Sequence, residues 1–269
     1  QYLKLVRARL AETEKGSEAG YADLDTFLHD IRMVTDSLKN HRGVHAGWFA
    51  ARRLLRRAET FGFHLATLDL RQDSAIHDAA LAALLGDPDW NTREVDDRVD
   101  RLHGVLKNPA EVPSCSDEVA VRTLAVFRTV ARLRPRYGAQ AFGPYIVSMS
   151  RSAADALAVI ALASIAGHVD ESGNAPLDVA PLFETVADLD AAEAVVQSLF
   201  ADHAYRKHLQ ARGNRQMVML GYSDSAKDGG LVASRWALQQ TQIALTRLAS
   251  ESGIRIVFFH GRGGSASRG

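Results

Sequence analysis

The chain has 269 residues, 46% of them hydrophobic and 24% charged, which is enough apolar material for a packed core and unlike a disordered or collagenous composition. Thirty-two Lys and Arg balance thirty-two Asp and Glu, so net charge offers no general attraction to nucleic acid or to an anionic membrane, and any anion site must be local. The one cysteine, Cys115, excludes an internal disulfide and a thiolate zinc cluster and points to a reducing, cytoplasmic setting, while no stretch approaches the roughly 18 consecutive apolar residues of a membrane span and no basic-then-apolar signal pattern follows Gln1.

Over residues 1–60 the apolar side chains fall at helical spacing: Leu3, Val6 and Leu10, then Phe27, Ile31, Val34 and Leu38, then Trp48, Phe49, Leu54 and Leu55. Three helices are predicted, with breaks at 16–20 and 41–47 where glycines and polar residues end the periodicity. From residue 61 the texture changes to short apolar runs at 64–70, 145–149, 179–183, 217–222 and 254–259. They alternate poorly, as strands buried on both faces of a parallel sheet do. Helical patterns follow four of them, at 74–85, 152–166, 189–200 and 226–250, and a helical insertion at 87–137 separates the first two runs.

This β-then-α alternation predicts an α/β fold with a parallel sheet and a large helical fraction. The expected organisation is a helical region at 1–60 and a β/α region at 61–269 that includes the insertion 87–137. About five strands with helical crossovers fit either an open doubly wound sheet or part of a closed barrel, which has about eight. The last strand run leads into a glycine-rich loop in which the sequence stops before any covering helix, so a partial TIM-like barrel cut from a longer one is expected, with the open sheet as the alternative.

In both architectures the loops after the strands carry function. Those loops hold Arg71, Glu184, Asp224, Lys227, His260, Arg262 and Arg268, a mixture suited to an anionic substrate and a hard cation. Glu184 and Asp224, each just past a strand, are candidate ligands for magnesium or manganese, or else ordinary helix caps and arginine partners. Arg71 and Arg262 offer forked donors to phosphate or carboxylate, or else pair with neighbouring acids, Asp69 being the obvious one for Arg71. Lys227 is expected in the first turn of a helix, where the dipole disfavours a cation, which hints at an anionic partner. His260 is either an acid or base near neutral pH or hydrogen-bonded structure; His41, His45 and His103 fall in apparent loops or helices and take no role. The stretch 261–269 lacks the Gly-Lys-Ser/Thr ending of a P-loop, so a nucleotide triphosphatase is not indicated.

The runs LDLRQDS (68–74), YIVSM (145–149), APLFET (180–185), QMVMLGYSDSAKDGG (216–230) and FHGRGG (259–264) resemble, in order and spacing, the phosphoenolpyruvate carboxylase family. The likeness covers about residues 61–269 closely and 1–60 more loosely. It implies a barrel with a large helical surround, a Mg2+ or Mn2+ ion, and carboxylation of phosphoenolpyruvate by bicarbonate to oxaloacetate and phosphate through carboxyphosphate and enolpyruvate. On that likeness Glu184 and Asp224 are the metal ligands, Arg71 and Arg262 hold the phosphoryl group, and Lys227 lies near the substrate or the metal-binding carboxylates. His260 then shapes the pocket, and Arg268 is the arginine of a mobile glycine-rich loop. A cytoplasmic, homotetrameric parent enzyme of the tricarboxylic acid cycle's supply, inhibited by aspartate or malate, is implied as well.

The sequence also departs from the family pattern. The family's Thr-Ala-His-Pro-Thr-Glu block, with its bicarbonate-handling histidine, occurs nowhere in these residues. Ser267 stands where glycine is usual before the arginine, Ala153 and Ala154 replace a Pro-Ser pair, and Asp73 stands where glutamate is common. The chain alone is therefore expected to lack carboxylase turnover. Two other readings remain at this stage: a different metal-dependent barrel of the phosphoenolpyruvate and pyruvate class, and a non-catalytic scaffold.

Overall fold

A computed structural model of the chain describes residues 1–261. They divide into two compact units, residues 1–68 with 132–142, and residues 69–131 with 143–261. The first unit contains the three helices expected from the spacing, α1 (Tyr2–Lys15), α2 (Leu24–Asn40) and α3 (Trp48–Phe61). Gly16, at φ 73°, ends α1 in the left-handed conformation that glycine adopts without a Cβ penalty, and the Asp23 carboxylate starts α2 by accepting from the Thr26 amide. Their apolar faces meet in a small core of Val6, Tyr21, Phe27, Leu28, Ile31 and Ala58. The buried Asp30 is satisfied by the hydroxyls of Tyr2 and Tyr21, each at 2.8 Å, and by Arg9 at 3.3 Å.

The second unit is built on five parallel strands, β1 (Leu68–Asp73), β2 (Phe142–Ser148), β3 (Val179–Phe183), β4 (Arg215–Leu220) and β5 (Arg255–His260), whose order in the sheet is their order in the chain. Between them run α4 (Ser74–Leu85), α5 (Val95–Lys107), α6 (Glu118–Tyr137), α7 (Ala153–Ile165), α8 (Val186–Ala201), α9 (His203–Ala211) and α10 (Tyr222–Glu251). A doubly wound sheet reverses its strand order at a switch point. Among the described strands there is no reversal, which is the succession found along the wall of a β/α barrel.

Sequential parallel strands joined by right-handed crossovers place their helices on one side of the sheet, and the two faces differ accordingly. Tyr145, Val147, Val179, Phe183, Val218 and Leu220 enter the large core shared with the helices. The alternate residues Ile146, Ala180, Leu182 and Met219, with Met217 and Phe259, form a separate small cluster on the other face. The register matches this division, pairing Ile146 with Ala180, Leu182 with Met219 and Met219 with Phe259. In α7 every residue from Ala153 to Ala163 is buried, which is why its sequence is apolar all round rather than amphipathic.

Three elements differ from expectation, the first being β1, which runs Leu68–Asp73 rather than 64–70. The helix predicted at 226–250 begins at Tyr222 and is interrupted by Gly230 (φ 81°, ψ 164°), so Lys227 lies in its second turn rather than its first. Beyond α8 a separate short helix, α9, forms because Asp202 leaves the helical conformation (φ −69°, ψ 126°) and caps a new start with its own carboxylate.

Two buried histidines should make this unit acid-sensitive. His77 bonds the Tyr145 hydroxyl through Nε2 at 2.8 Å, and burial lowers its pKa from 6.5 to about 4; burial, with the nearby Arg212 charge, does the same to His208. A folded-state pKa below the unfolded one means that the unfolded chain takes up the proton first as pH falls. Stability should be complete above about pH 6.5 and decline toward pH 4, by about 1.4 kcal/mol per pH unit for each histidine. Urea denaturation between pH 7 and pH 4.5 measures the slope, and His77→Gln should reduce it in that window.

Candidate active site

Around the C-terminal ends of the strands the inward-facing positions change from apolar to polar. Arg71 on β1 donates through Nε to the Ser148 hydroxyl at 2.6 Å and through an Nη to a Glu184 carboxylate oxygen at 2.9 Å. Ser148 is the last residue of β2 and Glu184 the first after β3, so one guanidinium ties three strand ends together. The alternative partner Asp69 is not the one chosen. Its carboxyl lies against Gly143, where a Cβ would collide with it, and burial raises its pKa. The Glu184 side chain is 14% exposed and that of Arg71 51%, so the acid is held inside while half of the guanidinium faces solvent.

Local folding explains the position of Glu184. The sequence after β3 reads Thr185-x-x-Asp188, a capping box: the Thr185 hydroxyl accepts from the Asp188 amide at 3.0 Å, and the Asp188 carboxylate accepts from the Thr185 amide at 2.9 Å and the Glu184 amide at 3.3 Å. The backbone of Glu184 is thus clamped at the start of α8. On its other side Gly221 donates its amide to the Phe183 carbonyl at 2.8 Å. A Cβ at Gly221 would stand 2.8 Å from the Glu184 Cα, so the two strand ends approach this closely only because residue 221 has no side chain.

From Gly221 the chain turns directly into α10, whose first turn holds Asp224. Lys227 bonds Asp224 at 3.0 Å; both are largely exposed, and such a surface pair contributes little to stability. Asp228 reaches back to the Val186 amide at 3.0 Å, joining the start of α10 to the start of α8. Buried Ser225 donates to the Gly221 carbonyl at 2.6 Å and shares a hydrogen bond with Ser234, which fixes the pitch of this entry. At the end of β5, His260 is exposed and its ring meets that of Tyr222 edge-on at 5.7 Å, while the Gly261 amide donates to the Leu220 carbonyl at 2.9 Å.

The structure therefore brings together Arg71 and Glu184 in direct contact. It sets Asp224 and Lys227 in the helix that begins beside Glu184, and His260 on the neighbouring strand end. Arg262 and Arg268 lie outside the described residues. Sequence reasoning gave no role to Ser148, Thr185, Asp188 or Asp228; the capping pattern at 185–188 was the available signal for two of them, and nothing local marked the others. Met149, at φ 55°, adopts the left-handed conformation uncommon for a non-glycine residue directly after β2, and its carbonyl accepts from the Ser74 hydroxyl at 2.9 Å. Glu184 just past β3 and Asp224 in the first turn of α10 offer carboxylate oxygens, and Arg71 beside Glu184 offers a cationic fork. That combination suits a hard divalent ion and an anionic ligand.

Comparison with known proteins gives a consistent result. Residues 3–269 match the family model described as phosphoenolpyruvate carboxylase. The chain is 50% identical over 265 residues to the phosphoenolpyruvate carboxylase of Xanthomonas campestris pv. campestris (strain 8004), covering 98% of this chain and 29% of that protein. It is 39% identical to those of Rhodopseudomonas palustris (strain HaA2), over 98% of this chain and 28% of that protein, and Nitrosomonas europaea, over 93% and 28%. The chain thus spans less than a third of the length of these curated relatives.

The steric requirement at Gly221 is open to direct test. Gly221→Ala should lower unfolding free energy by about 1–3 kcal/mol, because the added methyl must push backbone rather than a flexible side chain. Gly261→Ala, whose nearest contacts are at 3.4 Å, should cost within about 0.5 kcal/mol. Denaturant midpoints of the two variants give the comparison; equal losses would contradict the crowding at Gly221.

Proposed function

The chain belongs to the phosphoenolpyruvate carboxylase family, and on that footing we propose that it supplies one wall of the active site of an enzyme that carboxylates phosphoenolpyruvate with bicarbonate. The observation that carries the proposal is the contact of Arg71 with Ser148 and Glu184 at three adjacent strand ends, with Asp224 opening the next helix. The expected product is oxaloacetate, and the reaction class a carbon–carbon lyase.

Glu184 and Asp224 would hold Mg2+ or Mn2+, since their oxygens are the hard donors these ions take and Gly221 keeps the two backbones adjacent. The ion would supply Lewis-acid stabilisation of the negative charge that develops on the enolate oxygen. Arg71 has a half-exposed guanidinium already aligned by two acceptors, so it is prepared to present a forked donor edge to phosphoryl oxygens, with Arg262 as the second such group in the sequence. Lys227 adds positive charge beside Asp224, His260 and Tyr222 form part of the wall, and Arg268 belongs to the glycine-rich stretch that follows. A bicarbonate oxygen attacks phosphorus and the bond to the enol oxygen breaks, leaving its electron pair on the enolate. Carboxyphosphate then divides into phosphate and carbon dioxide, and the enolate carbon attacks the carbon dioxide to form the new carbon–carbon bond. A reducing cytoplasm fits the lone Cys115, and a homotetramer with aspartate or malate inhibition belongs to the same proposal.

Calorimetry with Mn2+ tests the metal assignment: binding should be lost in both Glu184→Ala and Asp224→Ala, and unchanged binding in either would favour a scaffold role. In the full-length protein, Arg71→Ala should reduce kcat for phosphoenolpyruvate-dependent oxaloacetate formation by about 100- to 1,000-fold, the usual cost of removing one donor from a site of developing charge. A polypeptide limited to these 269 residues should release no phosphate above a blank without bicarbonate, because it lacks the histidine-bearing block.

A further inference from the structure

On the other side of the second unit a different set of ligands converges. α8 begins at the strand tips and runs for 16 residues before Asp202, which places Asp202 roughly 24 Å from Glu184 along the helix. There His103 of α5 meets the start of α9, with its Nε2 2.7 Å from an Asp202 carboxylate oxygen and its ring 4.4 Å from that of His203. The ligand atoms of His103, Asp202 and His203 lie within 4.8 Å of one another, and among the described residues this is the one grouping of three such side chains.

We propose that His103, Asp202 and His203 form a second metal site, selective for a divalent transition ion of the zinc, cobalt or nickel class. The ligands are pre-positioned. Asp202 caps α9 by accepting the Tyr205 amide on one oxygen at 2.8 Å, which fixes the carboxylate and turns its other oxygen to His103. Capping accounts for the aspartate alone; it requires neither histidine. Tetrahedral coordination at about 2.1 Å sets ligand atoms about 3.4 Å apart, a closure that the exposed His203 ring achieves by side-chain rotation. For Nε2 of neutral His103 to bind, its single proton resides on Nδ1, and the 2.7 Å contact to Asp202 gives way to shared coordination. Two imidazoles with one carboxylate prefer zinc-like ions to magnesium or calcium.

A second feature points the same way. His103 and His203 line a cavity of about 180 Å³. It leaves room beside the two imidazoles for a water or anion to complete the ion's shell. Lys107 and Lys207 line the same space. Their charge opposes every divalent cation alike and favours an anion at the open coordination position.

The test is zinc titration of the intact protein by calorimetry, with cobalt substitution followed by visible absorption. His203→Gln, at an exposed position, and His103→Gln should each bind one equivalent of zinc per chain fewer than the parent and lose the cobalt band of tetrahedral coordination. His45→Gln should retain both, and the cobalt band of tetrahedral coordination reports on the imidazole-bearing site, so the outcome is independent of the carboxylase assignment. Unchanged zinc stoichiometry and affinity in His203→Gln and His103→Gln, or the absence of any saturable zinc binding, would overturn the proposal.

Discussion

The close approach of β3 and β4 at Gly221 is the constraint on which the strand-tip geometry depends. The amide of residue 221 must reach the Phe183 carbonyl while its Cα passes under Glu184, and a side chain at that point has no room. Once the two strands are locked, Glu184 is clamped between this contact and the Thr185–Asp188 capping box, and α10 must start immediately beyond. Arg71 then has two acceptors at hydrogen-bonding distance, one at the end of β2 and one just past β3. Its orientation is a consequence of strand register rather than of its own local sequence.

The same register separates structural from chemical duties. Side chains of one parity along β2, β3 and β4 enter the helix-covered core, and those of the other parity build the small cluster of Ile146, Ala180, Leu182 and Met219. Following the second parity toward the strand tips gives Ser148, Glu184 and Gly221, so the polar positions continue the inner apolar row. A one-residue slip in β3 would exchange its rows and turn the Glu184 carboxylate toward the helix-covered core. The apolar packing of the helices therefore also selects which groups face the site.

Much of this was legible in the sequence where information is local. Helical spacing identified α1, α2 and α3, and short apolar runs identified the five strands, because each pattern reports burial of its own segment. The winding direction was not legible, since no local pattern distinguishes sequential strand order from a reversed one. Arg71 illustrates the same limit: Asp69, two residues away, was the visible partner, whereas Ser148 and Glu184 become neighbours only through parallel pairing. α9 was overlooked because a single extended residue, Asp202, separates it from α8 without a glycine or proline to mark the break. The role of His103 depends on residues almost a hundred positions away and was invisible for that reason.

The two ligand clusters differ in the kind of ion each can hold. At the strand tips the donors are carboxylate oxygens accompanied by a guanidinium and an ammonium, so an ion there must tolerate cationic neighbours and share its oxygens with them. Hard ions that keep much of their water shell meet that condition because their attraction is spread over many weak oxygen contacts. At the far end of α8 two imidazoles join one carboxylate beside a cavity, a donor set that suits zinc-like ions better than hard ones. The capping aspartates show how one local device serves both ends. Asp188 spends its carboxylate on backbone amides and so frees Glu184, while Asp202 spends only one oxygen on the backbone and keeps the other directed at His103. Glu184 precedes one end of α8 and Asp202 follows the other, so the helix, 16 residues long, holds the two proposed sites roughly 24 Å apart.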